Sequence, residues 1–481
     1  MSAQPAQRDI ILSMTRFGLG TGPREMAQKI GDPRVYLRKQ LQNPKTALLI
    51  NQDLPASEVI WRLQWADDER RRREREAQPP AMQATMMQPQ MQMNASAAKV
   101  DDKNKTTPKS PPNYQDFIFR AEVEARLALA NETQAPFLER LVSFWSNHFA
   151  ISVAKSGPIK AMAGAFEREA IRPHILGKFA DLLIAVEQHP AMILYLDNQQ
   201  SIGPHSRAGD NGKHGFNENL AREILELHVL GSDGGYSQTD VTNFAGIITG
   251  WTYNDPGNDE LYGGRFTFAP ARHEPGDITV LGKTYPENGK EQGEAVLRDL
   301  ARNPSAARFI ARKLATAFIS DNPPKTLLAK LEAAYRSSDG DLLVVTRAMI
   351  DAPESWQDEA PKLRSPYEFI VAAMRAMEAP PDAGVMLAAL NTLGQPLWQP
   401  IGPNGYPDDS SFWVSPEGLS VRLDIAAQFG HRAKTTTEPD ALLTALFGNT
   451  VSPETRQTVA RADSREQALA MILMSPEFQR R

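Results

Sequence analysis

At 481 residues the chain is long enough for two or three domains, or for one large helical body with appendages. A composition 41% hydrophobic and 23% charged is that of an ordinary soluble protein, and a net charge of −5 leaves no general nucleic-acid footprint. No run of about 18 apolar residues occurs, so nothing spans a bilayer, and the absence of cysteine excludes disulfides, thiolate metal sites and a cysteine nucleophile.

The opening MSAQPAQRDIILSMTRFGLG has no charged n-region followed by a long apolar core. As it stands the sequence reads as cytoplasmic, and a start placed elsewhere would allow a periplasmic destination. Residues 1–67 form an N-terminal helical segment. Within it, Thr21-Gly22-Pro23-Arg24-Glu25 has the capping threonine and early proline of a helix start, and the spacing of Ala56, Val59, Ile60 and Leu63 predicts an amphipathic helix. From the charge run Asp67–Glu76 (DDERRRRERE) the character changes. Residues 78–113 are mostly Gln, Met, Pro, Ala, Lys and Ser, so we read 68–113 as a disordered insertion unable to bury enough apolar area to order itself. Five of the sixteen methionines lie there, which suits a flexible linker first and a soft-metal tether second.

Helical periodicity resumes at Tyr114, and residues 114–262 form a central helical core. Phe117–Ala130 and Pro136–Phe149 read as an antiparallel helix pair, followed by Pro158–Ala170 and Pro173–Glu187, each opened by proline. Residues 198–215 are loop. Residues 263–286 hold two short alternating runs, Arg265–Phe268 and Ile278–Tyr285, that predict a small β-hairpin. Helices return in a C-terminal region over 287–481, interrupted by the Pro/Gly-rich loop Gly394–Asp409 with Trp398. The predicted fold is mostly α: a multi-helix, bundle-like body with a small β-hairpin and a disordered Met/Gln/Pro-rich segment.

Chemistry concentrates between residues 148 and 273, where seven of the eight histidines fall. At the centre is Asn217–Trp251, two helices joined by a glycine-rich turn. On a wheel of about 100° per residue, Asn219, Arg222, Glu223 and Glu226 form one strip, flanked by Leu220, Ile224, Leu225, Leu227 and Val229, with His228 at the back. Three readings of the strip stand side by side: a solvated charge ladder, a buried polar network locking helices together, and a functional site of perturbed carboxylates. In its sharpest form the third makes Glu223, Glu226 and His148 ligands of a divalent metal. Glu-x-His on one helix is not the Glu-x-x-His of di-iron bundles, however, and HExxH is absent. No G-x-S-x-G elbow, P-loop or dinucleotide fingerprint occurs. Asp233–Tyr236 lacks the ligands of a calcium loop; Gly231 and Ser237 with Asp240 read as helix caps. Arg172-Pro173-His174 reads first as a capping and packing element and second as an anion contact. His189–Met192 and Tyr195–Asn198 read first as helix punctuation and second as a cavity wall.

Several blocks resemble the large, mostly bacterial family known as domain of unknown function 1800 (DUF1800). They are Arg16–Gly20, Phe144–Phe149, His189–Met192 with Tyr195–Asn198, Asn217–Gly231 with Asp233–Tyr236 and Thr249–Trp251, Leu393–Pro396 and Ser475–Phe478. The blocks keep the family's order over nearly the whole chain, with Gly405-Tyr406 standing where the family usually has Gly-Trp. The resemblance implies a largely helical protein, often exported and often encoded beside a sulfatase-like partner. It implies no particular activity, so no catalytic residue is carried over. The shared polar residues add weight to a functional site.

The leading expectation is an enzyme, a metal-assisted hydrolase with Glu223 and Glu226 as ligands or acid–base pair, Arg222 holding an anionic group, and His148 as ligand or proton shuttle. Asn147, Asn217, Asn219, His189 and Asp197 would line the binding site, joined by Asn198, His228, Asp240 and Trp251. The alternative is a non-catalytic binding or assembly protein whose polar centre only holds the fold together.

Overall fold

Proline breaks a helix from inside but suits its first turn, where the missing N–H is not needed and the fixed φ is already helical. This chain uses proline that way repeatedly. Pro33, Pro136, Pro304, Pro366 and Pro416 each open a helix. In four of these helices the preceding Asp32, Asn303, Ser365 or Ser415 caps the exposed N–H groups with its side chain. The same device opens Pro439–Phe447 and Pro453–Ala460, two helices that apolar spacing alone does not reveal.

The computed structural model describes residues 7–22, 25, 30–77, 114–209, 215–254, 263–357 and 362–481. Among them the architecture is mostly helical, with two small two-stranded antiparallel sheets. No helix of the described residues is long and apolar enough to cross a membrane. The Met/Gln-rich stretch 78–113, and Pro23-Arg24 of the predicted helix start at Thr21–Glu25, lie outside the described residues.

Three local expectations are corrected. The charge run 67–76 is not part of an insertion: one helix runs Ser57–Glu76. Its acidic and basic residues fall three and four apart and pair along the surface, as in Arg70 with Asp67 and Glu74, and Arg73 with Glu69. The helix expected at Pro173–Glu187 is instead a 3-10 turn at Arg172–His174 followed by a helix at Phe179–Glu187, with Gly177 between them. The single hairpin is two ladders. Phe266–Phe268 pairs back onto Trp251–Tyr253, and Ile278–Val280 closes on Lys283–Tyr285 through Leu281-Gly282, both at positive φ as a two-residue hairpin turn requires.

The hub of the core is the helix Pro136–His148. Phe137, Leu138, Leu141, Val142 and Trp145 are all buried, and rings from three other segments close on it: Phe17 and Phe318 against Phe137, Phe318 against Phe144, and Phe179 against Trp145. Each such side chain contributes about 1.5–3 kcal/mol by leaving water. Burial gives Glu139, Arg140 and His148 no route to solvent, and Ser146 and Asn147 are half-buried beside them, which decides what these polar residues must do.

Candidate functional site

The strip on the central helix does not lie in the interior. Asn219 is exposed, and Arg222, Glu223 and Glu226 are half-buried. The helix is α only over Asn219–Glu223 and continues as a π-helix over Ile224–Val229. The Leu230 N–H reaches the Leu225 carbonyl at 3.0 Å. This wider turn advances less per residue than the α wheel assumes, so the strip spreads. Arg222 bonds Glu218 at 2.7 Å and Gln238 at 3.1 Å, a surface cluster that Thr242 joins. Burial raises the Glu223 carboxyl above its usual range, with the Glu226 charge adding to it and His228 opposing. Burial and the Glu226 carboxylate likewise push the Tyr236 phenol up.

His228 is fully buried, as the apolar neighbours predict, and its Nδ1 lies 2.8 Å from Glu187 Oε1. His148 Nε2 lies 2.9 Å from the carbonyl oxygen of residue 228. A carbonyl only accepts, so His148 donates there and its Nδ1 carries the lone pair. Burial, reinforced by Lys313, holds His148 far below its ordinary pKa and so uncharged. The expected ligand triad of Glu223, Glu226 and His148 is therefore not assembled. The two glutamates are half-buried on the strip, while the imidazole belongs to the core. Among the described residues no group of three or more histidines and carboxylates is placed to hold a metal ion.

The remaining predicted residues mostly serve as fasteners. Asn217, just before the central helix, accepts the Asn219 N–H and donates to the Leu196 carbonyl. His189 caps Pro190–Tyr195 and reaches Glu169 at 3.1 Å. Burial alone would raise Glu169, yet His189 and Ser57 hold it down at about 2. Asp197 takes the left-handed conformation and pairs with Lys155. Buried Asn198 ties down the Ile248 and Trp251 carbonyls. Asp240 completes the capping box with Ser237 and accepts the Leu281 N–H. Trp251 is buried at the start of the first strand. His214 lies outside the described residues.

The buried polar network exists, but elsewhere. Arg172 reaches both oxygens of Glu139 and Glu167 Oε1, at 2.7–3.1 Å, and also the Ala47 carbonyl. Arg126 grips Glu167 from the other side at 2.9 Å. Ser146 and the Trp398 indole also bond Glu167, at 3.0 and 3.3 Å. Glu167 opens a second π-helix, Glu167–Ile171. Burial works against every charge here. Even so, Glu139 and Glu167 hold the Arg172 pKa up, and Arg126 and Arg172 hold Glu167 down.

Next to this network lies a cavity of about 140 Å³, between the helix Pro136–His148, the segment around Lys362–Glu368 and the loop at Gln395–Asp408. Asn147 fastens the loop by exchanging two hydrogen bonds with the Tyr406 backbone, at 2.7 and 2.8 Å. Gly405 sits at φ +70°, and a Cβ there would lie 2.2 Å from the Asn147 carbonyl oxygen, so only glycine fits. The Tyr406 hydroxyl donates to the Pro396 carbonyl at 2.6 Å, so the tyrosine standing for the family's tryptophan keeps a donor. Trp398 adopts φ +51°, which is strained for so bulky a residue.

Charge in the wall is lopsided. Arg126, Arg140, Lys362 and Arg481 line the cavity, with Glu368 and Asp408 as its carboxylates. Arg140 and Arg481 share Glu368, at 2.9 Å for Arg481. Burial would raise Glu368, but these two arginines hold it at about 2. Burial lowers Arg140 to about 10, with Arg481 adding to it, and lowers Arg364, just behind, to about 9. Arg126 Nη1 is buried with no hydrogen-bond partner.

None of these charged residues except Arg172 stood out in the sequence. The available signal was a charge inside an otherwise apolar helical run, as with Glu139-Arg140 in PFLERLVSFW and Arg126 in ARLALA.

These observations define a mostly helical protein with a charge-balanced interior network against a cation-rich cavity. Residues 13–480 match the family described as protein of unknown function (DUF1800), and with nearly the whole length covered the chain belongs to that family. No curated protein and no solved structure matches it. Blocks that carried the resemblance meet at the cavity: Leu19, Ser146, Asn147, Gln395 and Pro396 all line it.

Proposed function

We propose that this chain is a binding protein for a small anionic molecule, held in the cavity at Arg126 and Arg140, and that the Glu167 network is its scaffold. The observation carrying this reading is the surplus of buried cations around Glu368. A buried cation without a counter-charge is costly, and Arg126, although its charge is met by Glu167, has a buried Nη1 with no hydrogen-bond partner. An anion in the cavity supplies what is missing. Thermal melting across a millimolar series of sulfate or phosphate, at constant ionic strength, tests the idea. The expected result is a saturable rise in Tm, lost in Arg140→Gln. A rise without saturation, equal in both proteins, is general salting-out and removes the reading.

A second reading keeps the central helix as an acid–base site and the chain as an enzyme. What favours it is the raised Glu223 carboxyl at the junction with a π-helix, a form of turn frequent at functional sites. An activity screen comparing wild type with Glu223→Gln separates the two, because the anion-binding reading expects identical profiles.

A further inference from the structure

The cavity wall says more about its ligand than the sign of the charge, on the footing of the anion-binding reading above. Most side-chain acceptors in the wall are already engaged. Glu368 takes Arg140, Arg481 and the Ser365 N–H. Gln395 Oε1 takes the Tyr367 N–H at 2.8 Å, and Asn147 is occupied at both ends by Tyr406. Asp408 is tied to Lys313 at 2.6 Å. What remains free is donor-rich: Arg126 Nη1, the Nε and Nη2 of Arg140, Gln395 Nε2 and the Tyr367 hydroxyl make no hydrogen bond among the described residues. A neutral polyol needs acceptors for its own hydroxyls, whereas an oxyanion offers acceptors only.

The rest of the wall is aromatic. Phe144, Phe318, Trp398, Tyr406 and Trp413 line the cavity, and the guanidinium of Arg126 lies 4.5 Å over the Tyr367 ring. The space, about 140 Å³, is close to the roughly 150 Å³ apolar cavity that accepts one benzene. We propose that the ligand is a single aromatic ring bearing an oxyanion, an aryl carboxylate or aryl phosphate. Its oxygens sit between Arg126, Arg140, Gln395 and the Tyr367 hydroxyl, and its ring lies among the aromatic side chains.

Calorimetric titration of the full chain with benzoate, phenyl phosphate, benzamide and inorganic sulfate tests this. Benzoate or phenyl phosphate should bind at least about tenfold more tightly than sulfate, which lacks the ring, and than benzamide, which lacks the charge. Whichever aryl anion binds more tightly identifies the head group. Tyr367→Phe, which removes one hydroxyl and no packing, should weaken the aryl anion about fivefold with Tm unchanged. Sulfate binding as tightly as both aryl anions overturns the aromatic assignment and leaves the anion reading standing. Benzamide matching benzoate, or no anion binding at all, overturns both.

Discussion

Two clusters of buried charge lie side by side in this protein and are built differently. Around Glu167, Arg126 and Arg172 face Glu139 and Glu167, two cations against two carboxylates, in direct contact at 2.7–3.1 Å. Around Glu368, five cations (Arg140, Lys362, Arg364, Arg422 and Arg481) share Glu368 and Asp321, and otherwise lean on carbonyls and the Gln479 amide. Where charge is matched, the arginine pKa values rise in spite of burial. Where it is unmatched, those of Arg140, Arg364 and Arg422 fall to about 9–10 under burial. Equal numbers make a closed structural joint. A surplus is what the proposed anion would offset.

The most direct way to break this contrast is to remove one cation from each side. Arg172→Met strands Glu139 and Glu167 without their shared partner, and loss of one member of a buried pair costs about 3–5 kcal/mol. Arg422→Met removes bonds to Gln479 Oε1 and the Arg364 carbonyl but also relieves repulsion, so it should cost about 1–2 kcal/mol. Urea unfolding of both measures the difference. Equal losses would mean that the two clusters do not differ as their charges imply.

Acid sharpens the same point. Glu368 is held at about 2 in the folded chain against an ordinary 4.5. A depressed carboxyl stabilises fully above its unfolded value and loses that contribution as pH falls through the folded one. The window is therefore about pH 4.5 down to 2, and the contribution is about 3 kcal/mol. Wild type should lose stability across that window, while Glu368→Gln, already weakened, should follow a flatter curve. Glu223 is the opposite case. Its raised pKa makes the folded state bind its proton more tightly, which slightly destabilises above that pKa. Glu223→Gln at pH 7 should leave unfolding free energy unchanged or higher, by less than about 1 kcal/mol. A loss of several kcal/mol would return the strip to the buried interior.

Much of the fold is legible in the sequence, because helix ends are written in local chemistry. The helices Tyr114–Glu132 and Pro136–His148 fall where the pair Phe117–Ala130 and Pro136–Phe149 is expected, and Ser237 with Asp240 forms the expected capping box. The site was less legible, for two physical reasons. A π-helix has no residue signature, so a wheel drawn at the α period misplaces Glu226 relative to Asn219. The partners in both charge clusters are also far apart in sequence, Arg126 with Glu167 and Arg140 with Glu368. Nothing local at Arg140 says whether it meets water or a carboxylate from a helix more than two hundred residues away. The seven-histidine region drew attention by its density, yet its imidazoles are mostly used as caps and core donors.

The smallest expected effect concerns the surface ladder at 67–76, the mirror image of the buried clusters. Arg70 is exposed, and its ties to Asp67 and Glu74 raise its pKa only through contacts that water and salt can replace. Arg70→Ala should leave global melting unchanged at physiological salt. What it should change is local. The last turns of Ser57–Glu76 carry no buried side chain beyond Gln64, so side-chain pairing is the main support for their helical hydrogen bonds. Amide exchange over residues 70–76 should therefore quicken in Arg70→Ala, and in wild type as salt is raised, while exchange in Pro136–His148 stays fixed. If the ladder amides ignore both salt and substitution, the charges along that face are not what keeps the run helical.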